Sequence, residues 1–170
     1  MSDTAAVVTT AREQPPQRTK GTVVVTTVAS DSHTWNLVYL QLLIEELGYR
    51  VVNLGPCVPD DLLVRECLET RPDLLVISSV NGHGHQDGMR VIRLLRDQPE
   101  LVAVPAVIGG KLGVTGETDG LAEELTAAGF DAVFPDGADP MTAFRSFVAV
   151  LENSALPVGD RSPAVPRITA

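Results

Sequence analysis

Two rhythms alternate along the chain. Short β-branched runs such as 22-TVVVTTV-28 give way to stretches in which Leu, Ile or Val recurs every three or four residues. The first strand is expected over 22–28. A helix over 36–47 follows, with Leu37, Leu40, Leu43, Ile44 and Leu47 on one face and Gly48 as its stop. Strand two is 50-RVVNL-54. Pro59-Asp60-Asp61 opens the second helix, with acidic side chains at the positive end of its dipole. Strand three is 73-DLLVISS-79, and a third helix begins near Asp87 with Val91, Ile92, Leu94 and Leu95. Strand four is expected over 102-VAVPAVI-108, although Pro105 removes a ladder donor. A fourth helix starts near Thr118 or Asp119 and ends before Gly129. Strand five is 130-FDAVF-134. Asp139-Pro140 supplies an N-cap and a first-turn proline for a fifth helix lined by Ala143, Phe144, Phe147, Val148 and Leu151.

Five strand–helix turns with apolar strands predict an α/β fold, a parallel sheet covered on both faces. Five strands favour the flavodoxin-like, doubly wound order 2-1-3-4-5. Ligands of such sheets sit beyond the carboxyl ends of the strands, at the switch point between strands one and three. Residues 1–20 are polar, carry Pro15-Pro16 and are expected to be a disordered arm. The folded domain is 21–152, and 153–170 reads as a Pro-rich disordered tail.

Composition narrows the partners. With 13 Lys+Arg against 22 Asp+Glu the net charge is -9, which argues against a nucleic-acid backbone as partner. No apolar run approaches the roughly 20 residues of a membrane span, and the N-terminus has no secretory pattern. Cys57 and Cys67 are ten apart, too far for a C-x-x-C motif. They suit a reducing compartment, the cytoplasm, and are expected to be half-buried.

Three loops at the predicted rim concentrate the unusual residues. After strand one comes Ser30-Asp31-Ser32-His33-Thr34-Trp35-Asn36, and after strand three Ser78-Ser79-Val80-Asn81-Gly82-His83-Gly84-His85. After strand four comes Gly109-Gly110-Lys111-Leu112-Gly113-Val114-Thr115-Gly116. An imidazole binds a metal through one nitrogen while a carboxylate holds the other N–H, so Asp31 and His33 can work as a pair. The plainer alternative is a polar turn in which Asp31 or Asn36 caps helix one. Small residues where strands three and four end, Ser78, Ser79 and the glycines, suggest a slot beside those strands. Other motifs fail. 109-GGKLGVTG-116 lacks the G-K-[ST] of a phosphate loop, and 82-GHGHQDG-88 does not match G-x-G-x-x-G. His83-x-His85 lacks an evident third metal ligand. A receiver domain needs an aspartate where Ser78-Ser79 stand. A flavodoxin phosphate loop needs a glycine that residues 26–36 do not have.

The three loops resemble the cobalamin-binding module of the mutases and methionine synthase, with its D-x-H-x-x-G, S-x-L and G-G signature. Here these read 31-DSHTWN-36, 78-SSV-80 and Gly109-Gly110. The resemblance spans about 21–150. It is nearest to the small subunit of glutamate mutase, through 48-GYRVVNLGPCVP-59, 78-SSVNGHG-84, 107-VIGGKLGVTG-116 and 129-GFDAVFPDGADP-140. It implies adenosylcobalamin bound base-off and histidine-on. His33 would be the axial cobalt ligand, with Asp31 on its far nitrogen and Ser30, Ser32 and Thr34 flanking it. The displaced dimethylbenzimidazole tail would lie along Ser78, Ser79, Val80, Gly109, Gly110, Lys111, Leu112, Gly113, Val114 and Thr115. Asn36 replaces the signature glycine. Asparagine tolerates left-handed backbone angles, so the turn is expected to survive, with added volume and polarity beneath the corrin. The cofactor would supply a 5′-deoxyadenosyl radical, and no residue of this chain is expected to be catalytic. A separate TIM-barrel subunit would hold the amino acid for conversion of L-glutamate to 3-methylaspartate, since this chain has no room for a barrel of roughly 250 residues. A corrinoid carrier for methyl transfer and a non-catalytic cobalamin sensor or store are the competing readings.

Overall fold

A computed structural model describes residues 19–114, 120–137 and 139–154. The elements run β1 (Thr22–Thr27), α1 (Trp35–Glu46), β2 (Arg50–Gly55), α2 (Asp60–Thr70), β3 (Leu74–Ser79), α3 (Gly84–Arg96), β4 (Ala106–Gly110), α4 (Leu121–Ala128), β5 (Ala132–Pro135) and α5 (Pro140–Ser154). The five strands form one sheet in the order β2-β1-β3-β4-β5, and every neighbouring pair is parallel.

Strand alternation divides the core in two. Val23, Val25, Leu74, Val76 and Val107 pack with Leu37, Leu43, Ile44, Phe144 and Val148 of α1 and α5. Val24, Leu75, Ile77, Ala106 and Ile108 pack on the other face with Leu63, Cys67, Val91, Ile92, Leu95 and Leu125 of α2, α3 and α4. The three inner strands are buried on both sides, so they read as continuous apolar runs.

The main departure from expectation is strand four. Residues 102–104 form a turn, with Val102 exposed, and the strand begins after Pro105. Arg96 holds that turn: its Nη1 donates to the carbonyls of Leu101 (3.0 Å) and Val104 (2.7 Å), and its Nε to that of Gly129 (2.9 Å). The strand instead runs on through Gly109-Gly110, which were expected in the loop, pairing them with Ser78-Ser79. Helix α3 begins three residues earlier than expected, at Gly84, because its early glycines allow close approach. A Cβ on Gly84 would lie 2.8 Å from Ser79 Cβ, and one on Gly88 2.8 Å from Ile108 Cδ1. Strand β5 starts two residues late and ends on Pro135, at the sheet edge where proline is tolerated. Cys57 is exposed and Cys67 buried, rather than both half-buried; burial pushes the Cys67 thiol up to about 12. Of the expected N-terminal arm, Lys20 is tied down by Gly48 O (2.9 Å) and Glu152 (2.9 Å); residues 1–18 lie outside the described residues. So do 155–170 and the expected start of helix four, while α5 itself continues to Ser154.

Candidate functional site

The loop from β1 to α1 is held from beneath. The Thr27 hydroxyl donates to Asp31 O (2.7 Å), and the backbone N–H of Cys57 donates to the same carbonyl (2.9 Å). Val28 N donates to Ser78 O (3.1 Å), fastening the loop to the end of β3.

Asp31 is fully buried there and accepts from four donors. Its Oδ1 takes His33 N–H (3.0 Å) and lies 2.6 Å from His33 Nδ1. Its Oδ2 takes the N–H groups of Val80 and of Asn81 (3.2 Å). Burial pushes this carboxyl's pKa up, but the bonds from Val80, His33 and Asn81 outweigh it and hold the group below its ordinary 3.8. An ionised carboxylate only accepts, so His33 Nδ1 must carry the proton. That leaves the Nε2 lone pair unencumbered. The His33 side chain is 46% exposed, and no hydrogen bond engages Nε2 among the described residues. Asp31 is therefore not the cap of α1. That position is Thr34, without a side-chain bond.

A second buried carboxylate braces the loop from α3. Asp87 Oδ2 accepts from the Ser30 hydroxyl (2.6 Å) and backbone N–H (3.3 Å), and its Oδ1 from Arg90 Nη1 (2.7 Å). Burial raises the Asp87 carboxyl, but Ser30 and Arg90 overcome that and leave it below 3.8. Arg90 also pairs with Asp60 on α2, and Asn81 Nδ2 donates to Ser30 O and Oγ (2.9 Å each). Loops one and three and helices α2 and α3 thus share one polar network.

Beside this network a cavity of about 310 Å³ opens between the sheet, α1 and α5. Ser78 and Gly109 sit in register on β3 and β4, where Val76 and Val107 stand one step below. Their small side chains hollow the sheet surface. Phe134, Met141, Phe144, Leu40 and Tyr39 wall the slot, and Trp35 and Asp136 also border it. Asn36 lies within the first turn of α1, so position 36 needs no left-handed backbone, contrary to expectation. Its Nδ2 donates to Ser78 Oγ (2.7 Å), and its Oδ1 is shielded from water with no partner.

Of the residues singled out in the sequence, Ser30, Asp31, Ser32, His33 and Thr34 share the β1–α1 loop, and Ser78, Ser79, Val80, Gly109 and Gly110 line the slot. The stretch after β4 does not join them as a unit. Leu112 is buried in the core on the opposite face, and Gly113 and Val114 lie against Gly82. Lys111 N and Ser79 O are bonded at 2.7 Å. Thr115 lies outside the described residues. His83 and His85 do not act as a pair; His85 Nε2 meets Glu124 at 2.8 Å. Sequence reasoning missed the helical walls. The available signal was α1 itself, whose run 35-WNLVYLQLLI-44 is apolar beyond the one stripe a core needs. It also missed Asp87, which only long-range contact brings to Ser30.

Comparison with known proteins gives the family. The family model described as B12 binding domain matches residues 21–145. The glutamate mutase sigma subunit of Halobacterium salinarum is 31% identical over 156 residues, covering 89% of this chain and 98% of the relative. That of Clostridium tetanomorphum is 29% identical over 134 residues, covering 78% and 96%. Among solved structures, a methanol:cobalamin methyltransferase complex of Methanosarcina barkeri superposes with a TM-score of 0.61 at 22% identity, over 85% of this chain and 50% of that one, a likeness of fold. The chain belongs to the B12-binding domain family and, within it, to the family of glutamate mutase sigma subunits.

Proposed function

We propose that this chain is the adenosylcobalamin-binding small subunit of a carbon-skeleton mutase, acting on L-glutamate to give 3-methylaspartate. The observation that carries the proposal is the Asp31–His33 pair: a buried, ionised carboxylate fixes the proton on Nδ1 and presents Nε2 as a half-exposed donor. A neutral imidazole so held is a good cobalt ligand. The adjoining slot fits a displaced nucleotide base: it has the volume of a small-molecule site, roughly 300 Å³ or more, apolar walls and a polar end at Ser78. Ser78, Ser79, Val80, Gly109 and Gly110 would line the base, with Ser30, Ser32 and Thr34 beside the corrin edge. Lys111, Gly113, Val114 and Thr115 would flank the tail.

Bound adenosylcobalamin supplies cobalt–carbon bond homolysis. This chain's own work is to hold the axial nitrogen, keep its proton on the far side and keep water from the buried base. The substrate would sit on a separate barrel subunit closing over the other corrin face, so the chain alone is expected to be inactive. Two unpaired cysteines suit work in the cytoplasm. Relatives named as mutase subunits, matched over nearly their whole length, favour this reading over a methyl carrier.

Reconstitution tests it. Protein grown on nitrogen-15 histidine and loaded with cobalamin should show altered splitting in the Co(II) electron resonance, and His33→Ala should abolish histidine coordination. An unchanged spectrum would exclude His33. Mixed with a glutamate mutase large subunit and adenosylcobalamin, the wild-type chain should convert glutamate. Bound cofactor without turnover would remove the mutase assignment and leave the cobalamin site.

A further inference from the structure

We propose that residues 155–170 of this chain fold back and dock on the outward face of α1. Helix α1 is apolar on two sides. Leu37, Leu43 and Ile44 face the core, whereas Trp35, Val38, Tyr39 and Leu42 stand at i, i+3, i+4 and i+7 on the outside. Their exposures run from 51% at Tyr39 to 71% at Trp35. Protein surfaces rarely leave so contiguous an apolar stripe uncovered. The slot accounts for only one edge of it: Trp35 and Tyr39 border the slot, and Val38 and Leu42 do not. A ligand in the slot therefore leaves the rest of the stripe open.

The chain leaves the fold where it can reach this face. Helix α5 runs beside α1 in the same direction. Arg145 meets Glu46 (3.2 Å), and further along Glu152 accepts from Tyr49 Oη (3.0 Å) and Lys20 Nζ (2.9 Å). Ser154, where α5 ends, stands nine residues past Arg145, and Trp35 eleven before Glu46. At about 1.5 Å per helical residue the two lie roughly 30 Å apart along the helix axes. A proline-rich chain covers about 3.1 Å per residue, so about ten residues span that distance and about six remain for the reversal. This brings 163-PAVPRI-168 alongside the stripe. Its chemistry fits. Pro163 and Pro166, spaced as P-x-x-P, favour the extended conformation that packs on aromatic-lined surfaces. Trp35 and Tyr39 supply the rings, and Val165 and Ile168 bring aliphatic groups. The side chains of 155–170 include two arginines, Arg161 and Arg167, and one acid, Asp160, on a chain of net charge -9. Exposed Glu45 and Glu46 stand at the end of the stripe nearest Ser154. A second copy is the poorer occupant. Four side chains of one helix fall short of the roughly 20–30 residues a side of a stable interface. A tethered segment instead works at an effective concentration of about millimolar.

A nitroxide on Ala164→Cys, in full-length protein that also carries Cys57→Ser, tests the contact. Cys67 is buried with its thiol pushed up to about 12, so it escapes the label. The label should broaden the amide resonances of Val38, Tyr39 and Leu42 selectively. Leu42→Asp or Ile168→Asp should each lower the docked-to-open ratio by roughly tenfold, the worth of one buried aliphatic side chain, and restore those resonances. Leu42 is exposed, so its replacement spares the core. A mixture of spin-labelled protein with unlabelled, nitrogen-15 protein should show no broadening. Broadening in that mixture gives the stripe to a second copy and overturns the proposal. So does labelled protein with sharp α1 resonances, or broadening at α1 that survives both variants. A stripe untouched in the free chain and covered only on adding a glutamate mutase large subunit is a subunit interface, which overturns it as well. None of these outcomes bears on the cobalt ligand.

Discussion

Ser78 and Ser79 are neighbours on β3, and each faces a glycine across the ladder, Gly109 and Gly110. The two pairs use the same residue types for opposite ends. On the α1/α5 face, Ser78 and Gly109 leave room that no described residue fills, and the slot results. On the α2/α3/α4 face, Ser79 and Gly110 let neighbours close in. Gly84 of α3 packs on Ser79, Leu112 fills the space above, and Gly110 takes φ 96° where a Cβ would strike Ser79 O. Small residues in a sheet therefore mean a cavity or a tight contact according to what stands opposite. One face of the rim is built to receive a ligand and the other to resist deformation.

Substitutions can break this contrast. Leu112→Ala on the sealed face should cost about 2–5 kcal/mol of stability in denaturant titration, with corrinoid affinity of the folded fraction little changed. A large affinity loss at unchanged stability would restore Leu112 to the cofactor site. Gly88→Val forces atoms against Ile108 and Leu125, and overpacking of this kind should cost about 1–3 kcal/mol by the same measurement.

On the open face the balance reverses. Asp31→Asn cannot accept both His33 donors while keeping Val80 and Asn81 satisfied, so the imidazole should shift its proton to Nε2 and lose its ligand lone pair. Affinity for cobalamin should fall by roughly 10- to 100-fold in equilibrium titration. Ser78→Val narrows the slot and should weaken corrinoid binding by roughly tenfold, at less than about 1 kcal/mol of stability, one neutral hydrogen bond. The smallest effect is acidic. Because the Asp31 carboxyl is depressed in the folded chain, its contribution is present above 3.8 and is lost as pH falls through the depressed value. The stability gap between wild type and Asp31→Asn should close on acidification, which chemical denaturation at stepped pH would follow. A gap that widens would show that Asp31 is neutral in the fold.

Periodicity carried the architecture, because burial on both faces of a parallel sheet writes itself locally: the runs at 22–27 and 74–79, and the stripe Leu37, Leu43, Ile44, need no distant partner to be recognised. Strand four misled for the same reason. The run 102–104 is apolar enough for a strand, but the guanidinium of Arg96, at the end of α3, claims carbonyls there, a contact that hydrophobic period does not record. The Asp31–His33 pair was legible because both residues lie in one loop. Asp87 under Ser30, Leu112 on the far face and Asn36 against Ser78 were not, since each depends on which elements the fold brings opposite one another. The sequence alone determined the strand–helix order and the residues that can ligate a metal, since hydrophobic period and side-chain chemistry are local properties. Only the tertiary structure decided which small residues open a slot and which seal a contact, because empty space has no residue of its own and exists only between packed elements.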